Sequence, residues 1–187
     1  EGGLKIYTTL DPMLQEHVVM AVDKVVDPRA DDPSASLVSV EPSTGAVKAI
    51  VGGSDFEQVK FNLATQGKRQ PGSSFKTFVL AEAIRQGISP ETGYESKDLS
   101  IDTGGEPYQV QNYNYVQRGP ISVRHATEQS DNTVFVQLAL DLGLENVAAL
   151  ANSMGIRSTI DTYPPMAIGG LGEGVTPLDM ASSYSTL

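Results

Sequence analysis

The chain has 187 residues, 40% of them apolar and 19% charged, which suits one folded domain with a sizeable core and excludes a disordered segment. A net charge of −10 leaves no basic stripe for phosphates, so nucleic acid is not expected as a partner. Without cysteine there are no disulfides, no thiolate catalysis and no Cys-based zinc site, and His17 and His125 are too few and too far apart for a metal cluster, so no metal or cofactor is expected.

Residues 1–3 read as the end of a linker, and residues 4–10 carry strand-forming side chains (Ile6, Tyr7, Thr8, Thr9). Asp11 caps a helix with Pro12 at its first position, and Leu14, Val18, Ala21, Val22 and Val25 keep helical spacing to about Val26. Residues 28–33 form a polar loop. Two apolar runs, 36–40 and 46–51, flank Glu41-Pro42-Ser43-Thr44-Gly45 and predict a β-hairpin. Residues 55–69 are polar and irregular, with Asn62 and Gln66 near their middle.

Pro71-Gly72 then breaks the chain, and Phe75, Phe78, Val79 and Ala83 predict a helix from Ser73 to about Gln86, stopped by Gly87. Ser73 falls on its first turn, where unpaired N–H groups favour developing negative charge. Lys76 follows at i+3 and shares a face with the Ser73 hydroxyl. Such a pair can serve as nucleophile and base if burial keeps part of the lysine neutral. About 0.6 S-x-x-K matches arise by chance in a chain of this composition, so the four-residue motif taken alone reads as a helix cap beside a solvated lysine and needs further residues to support catalysis.

Residues 88–120 lack periodicity and read as loop. Tyr108, Tyr113 and Tyr115 within them either line a cleft or pack on the surface. Ser122 caps a short helix over 123–129, Ser130-Asp131-Asn132 interrupts it, and a further helix starts at Thr133 and ends near Gly143. Residues 146–154 are helical. Thr176-Pro177-Leu178-Asp179 is a capping box opening a last helix that runs to the chain end. The break at Ser130-Asp131-Asn132 can turn a second hydroxyl and an amide toward a cleft: Ser130 to relay a proton, Asn132 to hold a substrate backbone. A capped helix junction is the structural alternative.

Taken together, these residues resemble the penicillin-binding proteins, whose motifs are S-x-x-K, S-x-N and K-T-G. Phe61-Asn62-Leu63-Ala64-Thr65, then Arg69-Gln70-Pro71-Gly72-Ser73-Ser74-Phe75-Lys76, resembles the approach to the nucleophile in the class A, bifunctional members. Leu4 to Gln15, with Thr8-Thr9-Leu10-Asp11, resembles the segment where their transpeptidase domain begins, after a glycosyltransferase domain. The hairpin at 41–47 and the run Gly174-Val175-Thr176-Pro177-Leu178-Asp179-Met180-Ala181 also match, so the likeness covers the whole chain.

The resemblance implies an α/β penicillin-recognising fold of the serine transpeptidase and β-lactamase type: an antiparallel sheet flanked by helices, plus a helical subdomain. Residues 1–187 would be the N-terminal part of a D,D-transpeptidase domain, with 1–60 the linker end, first helix and hairpin, and 61–187 the nucleophile helix and mostly helical subdomain. Ser73 would be acylated by D-Ala-D-Ala stem peptides of peptidoglycan, with Lys76 as base, Ser130 as proton shuttle and Asn132 positioning substrate. β-Lactams would acylate Ser73 as mimics. The Ser73 N–H would supply half of an oxyanion hole. No K-T-G or K-S-G occurs in the chain. The family carries that motif on a strand further downstream, so residues 1–187 alone are expected to be inactive or feeble, with C-terminal strands missing. Its implied place is the outer face of the bacterial membrane, the anchor lying outside this stretch. The alternatives are a serine β-lactamase or D,D-carboxypeptidase, which need a water-activating base that no motif places here, Glu145 and Glu173 staying open for that part, and a non-catalytic β-lactam sensor or cell-wall scaffold.

Overall fold

In a computed structural model the described residues are 3–26, 33–53 and 59–187. The loop expected at 28–33 lies outside them save for Pro33, as do residues 1–2 of the linker end and residues 55–58 of the irregular stretch. Contacts divide the chain into two units. One holds Glu1–Arg69, Met154–Arg157 and Val175–Leu187; the other holds Gln70–Ser153 and Ser158–Gly174.

The first unit begins with helix α1 (Pro12–Val25), where the Asp11 carboxylate accepts hydrogen bonds from the Met13 and Leu14 N–H groups at 3.0 and 3.1 Å. That satisfies two of the donors a helix start leaves open. Strands β1 (Leu37–Glu41) and β2 (Ala46–Val51) form an antiparallel hairpin, with a register irregularity between Ser39 and Val40. Gly45 closes its turn at φ +70°, a conformation that favours glycine. Leu14, Val18 and Val22 of α1 bury Ala49 and Val51 of β2. The Gln15 side chain, reaching out of the helix, donates to Ile50 O and accepts from Ile50 N–H, both at 2.9 Å. A helix side chain thus takes the part of a neighbouring strand.

Residues 4–10 do not form the expected strand. Leu4, Ile6 and Tyr7 are more than four-fifths exposed, so the side chains that favour a strand are not packed, and Thr9 meets β2 through its hydroxyl on Val47 O at 2.7 Å. Helix α2 (Leu63–Gln66) is capped by Asn62. The last helix, capped by Thr176, ends at Tyr184 instead of running to the chain end.

The second unit is built on a 3₁₀ turn, Gly72–Phe75, leading into helix α3 (Lys76–Arg85). Strands β3 (Gly93–Ser96) and β6 (Gly119–Ser122) pair antiparallel, as do β4 (Leu99–Ile101) and β5 (Tyr108–Val110). These four strands fall in the stretch read as loop from sequence. Each is three or four residues long, too short to show a period. Helices α4 (Val123–Glu128), α5 (Asn132–Leu142) and α6 (Leu144–Met154) follow. Seven of the eleven residues of α5 are buried, among them Val134, Phe135, Val136 and Leu138, so α5 is the central helix, packed against α3 and β3. Phe75 and Phe78 stack obliquely in the same core, ring centres 4.9 Å apart. Among the described residues no single helix is long and apolar enough to cross a membrane; α5 and α6 reach that apolarity only as a pair bent by 95°.

Gly169 sits at φ +81° with its Cα against the backbone of Gly72; a Cβ there would fall on the Gly72 N, C and O atoms. Gly169→Ala is therefore expected to cost about 3 kcal/mol, combining left-handed strain with displacement of the Gly72 turn, and denaturant unfolding would measure it. A loss below about 0.5 kcal/mol would mean that the turn can move freely.

Candidate active site

The turn that carries Ser73 is held from behind. The Gln70 side-chain amide accepts from the Leu171 N–H at 2.5 Å and donates to the Leu171 carbonyl, so the chain enters Pro71-Gly72 on a fixed line. Ser73 lies on the 3₁₀ turn and is exposed, not on the first α-helical turn as the spacing suggested. Lys76, on the first position of α3, is buried to 5% exposure.

A cavity of about 190 Å³ is lined by Ser73, Lys76, Thr77, Leu80, Thr127, Ser130 and Phe135. Three of the four residues singled out in the sequence, Ser73, Lys76 and Ser130, thus face one space, and the fourth is bonded to it. The Lys76 Nζ donates to the Ser130 carbonyl at 2.6 Å, to Ser130 Oγ at 3.0 Å and to Asn132 Oδ1 at 2.7 Å. It also stands 5.5 Å from the centre of the Phe135 ring, a cation–π distance. Burial lowers the Lys76 pKa to about 8, although the charge of Asp131 opposes the shift. About a tenth of the amines are then neutral at pH 7. Tyr113 and Tyr115 are 85% and 73% exposed and Tyr108 is half-buried; none of them lines this cavity.

Ser130 adopts φ +51°, left-handed backbone that a serine holds only where its surroundings enforce it. The next residue, Asp131, is 1% exposed and central to a network that the sequence did not disclose. Its Oδ2 accepts from Ser96 Oγ at 2.6 Å, Asn112 Nδ2 at 2.9 Å and an Arg118 guanidinium N–H at 3.2 Å. Its Oδ1 accepts from Thr133 Oγ1 at 2.8 Å and caps α5 through Val134 N–H at 3.0 Å. Burial pushes the Asp131 carboxyl upward, but the bonds from Ser96, Val134 and Thr133 and the Arg118 charge outweigh it, and the net shift is downward.

Asn132 is fixed at both ends of its amide: Oδ1 faces Lys76, and Nδ2 donates to the Gln111 carbonyl at 2.9 Å. One N–H of that amide remains for a ligand. The only sequence signal for Asp131 was its place between Ser130 and Asn132. Asn112 and Ser96 carried none, being polar residues in unpatterned sequence, and Phe135 reads as an ordinary core position. His17 and His125 are both exposed.

A serine on an exposed turn, a partly neutral lysine and a hydroxyl bonded to it form a group suited to acyl transfer. The family model described as "Penicillin binding protein transpeptidase domain" matches residues 35–187. Penicillin-binding protein 2D of Bacillus subtilis (strain 168) is 34% identical over an alignment covering 100% of this chain and 27% of its own length. Penicillin-binding protein 1A of Mycolicibacterium smegmatis is 35% identical, with 99% of this chain and 24% of the relative covered. The chain therefore spans about a quarter of the length of these relatives. The structure of PonA1 from Mycobacterium tuberculosis in complex with penicillin V superposes with a TM-score of 0.83 at 30% identity, covering 97% of this chain and 50% of that one.

Proposed function

The chain belongs to the penicillin-binding protein transpeptidase domain family, and from that premise we propose that it carries the acylation machinery of a peptidoglycan D,D-transpeptidase that β-lactams inhibit. The observation that carries this reading is the Lys76 amine, bonded to Ser130 and Asn132 in the cavity that Ser73 lines.

In the neutral amine two N–H bonds remain. The Ser130 carbonyl and Asn132 Oδ1 can only accept, so they take those two, and the lone pair is left for a hydroxyl proton. Ser73 Oγ attacks the carbonyl of the penultimate D-alanine while its proton passes to Lys76. The negative oxygen of the tetrahedral intermediate meets the Ser73 backbone N–H. Ser130 Oγ, 3.0 Å from the amine, passes a proton on to the departing D-alanine nitrogen and is refilled from Lys76. The free Asn132 N–H holds the stem-peptide backbone, and a second stem amine resolves the ester into a crosslink. A β-lactam follows the same first step and stays.

The work takes place on peptidoglycan at the outer face of the cell membrane, with a glycosyltransferase domain and membrane anchor elsewhere in the polypeptide. Intact mass after incubation with penicillin tests the reading on the native protein that contains this chain. One penicillin mass is expected on the wild type and none on Ser73→Ala. An adduct that persists in Ser73→Ala would assign the nucleophile elsewhere, and rapid β-lactam turnover would make the protein a hydrolase.

A further inference from the structure

We propose that Asn112 is the positioning residue that fixes the Ser130–Asn132 turn against Lys76; the proposal deepens, and rests on, the transpeptidase reading above. Asn112 is 7% exposed and lies just beyond β5, where the chain passes through two left-handed residues, Asn114 (φ 55°) and Tyr115 (φ 57°). Its Oδ1 accepts from the Asn132 N–H at 2.6 Å and the Thr133 N–H at 3.3 Å. Its Nδ2 donates to Asp131 Oδ2 at 2.9 Å, Val116 O at 3.0 Å and Ser96 Oγ at 3.1 Å. Every donor and acceptor of the side chain is engaged.

The preceding residue completes the hold, since Gln111 O takes the Asn132 side-chain N–H at 2.9 Å. Residues 111 and 112 therefore grip Asn132 by its backbone and by its amide, and that amide in turn receives the Lys76 Nζ at 2.7 Å. Asn112 itself touches neither Ser73 nor Lys76 in the bonds that define the site, so it acts through Asn132.

The chemistry selects asparagine. The group must accept two N–H bonds at one end and donate to a carboxylate at the other. Aspartate would set a second negative charge against Asp131, and alanine would leave the first two N–H groups of α5 without this partner. Asp131 still caps α5 through Val134 in Asn112→Ala, so the helix start is retained and the change falls on the geometry of Asn132.

The test is a double-mutant cycle on the native protein that contains this chain, following acylation of Ser73 by penicillin as a function of penicillin concentration. Wild type, Asn112→Ala, Asn132→Ala and the double variant are compared, with thermal unfolding checking that each is folded. Asn112→Ala is expected to lower the limiting acylation rate about 30-fold, as misplacement of a positioning group does. In the Asn132→Ala background the same change is expected to cost less than about threefold, because its target is gone. Losses that multiply in the double variant, or a wild-type rate in folded Asn112→Ala, overturn the proposal. If Asn112→Ala does not fold, Asn112→Ser, which keeps one donor and one acceptor at shorter reach, goes through the same cycle with the same criteria. A wild type that takes up no penicillin at Ser73 would sink the transpeptidase reading itself, an outcome separate from a wild type that reacts normally while the cycle shows no coupling.

Discussion

Lys76→Met is expected to slow penicillin acylation of Ser73 about a thousandfold, since it keeps the aliphatic stem and removes the base. The pH dependence identifies the cause. Burial holds the Lys76 pKa at about 8, so the reactive neutral amine is the minor form at neutral pH. The wild-type second-order rate should rise roughly tenfold between pH 6 and pH 7 and level off above the lysine pKa, because that rate constant reports ionisation in the free enzyme. The residual rate of Lys76→Met should lack this rise. A wild-type rate already flat at pH 6, or a methionine variant within tenfold of wild type, would remove Lys76 from the role of base. The three bonds from Nζ to Ser130 and Asn132 would then serve only to brace the cleft.

Asp131→Ala should cost about 3 kcal/mol of stability at pH 7, measured by denaturant unfolding. The substitution strands Ser96, Asn112 and Thr133 in a buried space, opens the cap at Val134 and leaves Arg118 without its counter-charge. The pH dependence has a definite sign. The folded-state pKa of Asp131 lies below its ordinary value, so between the two values the unfolded chain binds more protons. The contribution is complete above the ordinary carboxylate value and is lost as pH falls through the folded one. The stability gap between wild type and Asp131→Ala should therefore narrow below about pH 4. A gap that stays constant to pH 2.5 would show that the carboxylate charge contributes nothing.

Both predictions concern side chains that meet at the Ser130–Asn132 turn, yet the sequence treated them differently. Lys76 was legible because its partner Ser73 is three residues away and local spacing puts both on one face. Asp131 stood between two residues of interest and had no evident part to play. Its five donors come from residues 96, 112, 118, 133 and 134, and three of those segments lie in the stretch read as unpatterned loop. Short strands paired only to each other leave no period in the chain, so β3 to β6 could not be read, nor could the convergence they create.

Local chemistry settled a good deal unaided. Asp11, Ser122 and Thr176 cap their helices because a short oxygen-bearing side chain at the right offset meets an orphan N–H whatever the surroundings. The hairpin of β1 and β2 follows likewise from two apolar runs and a Pro–Gly turn. By contrast, the segment at 4–10 had the right residues for a strand and did not form one, Thr9 meeting β2 only through its side-chain hydroxyl.

Spacing along the chain thus determined where the helices capped by Asp11, Ser122 and Thr176 start and where the hairpin turns. Only tertiary structure decided that Ser130 is held in a left-handed conformation, that Asn112 and Asp131 grip the turn around it, and that the Lys76 amine is dry enough to lose its proton near pH 8. The division has a physical basis: caps and turns are set by bonds within four residues, whereas burial, and the pKa shift that comes with it, is a property of atoms that meet only after the chain has folded.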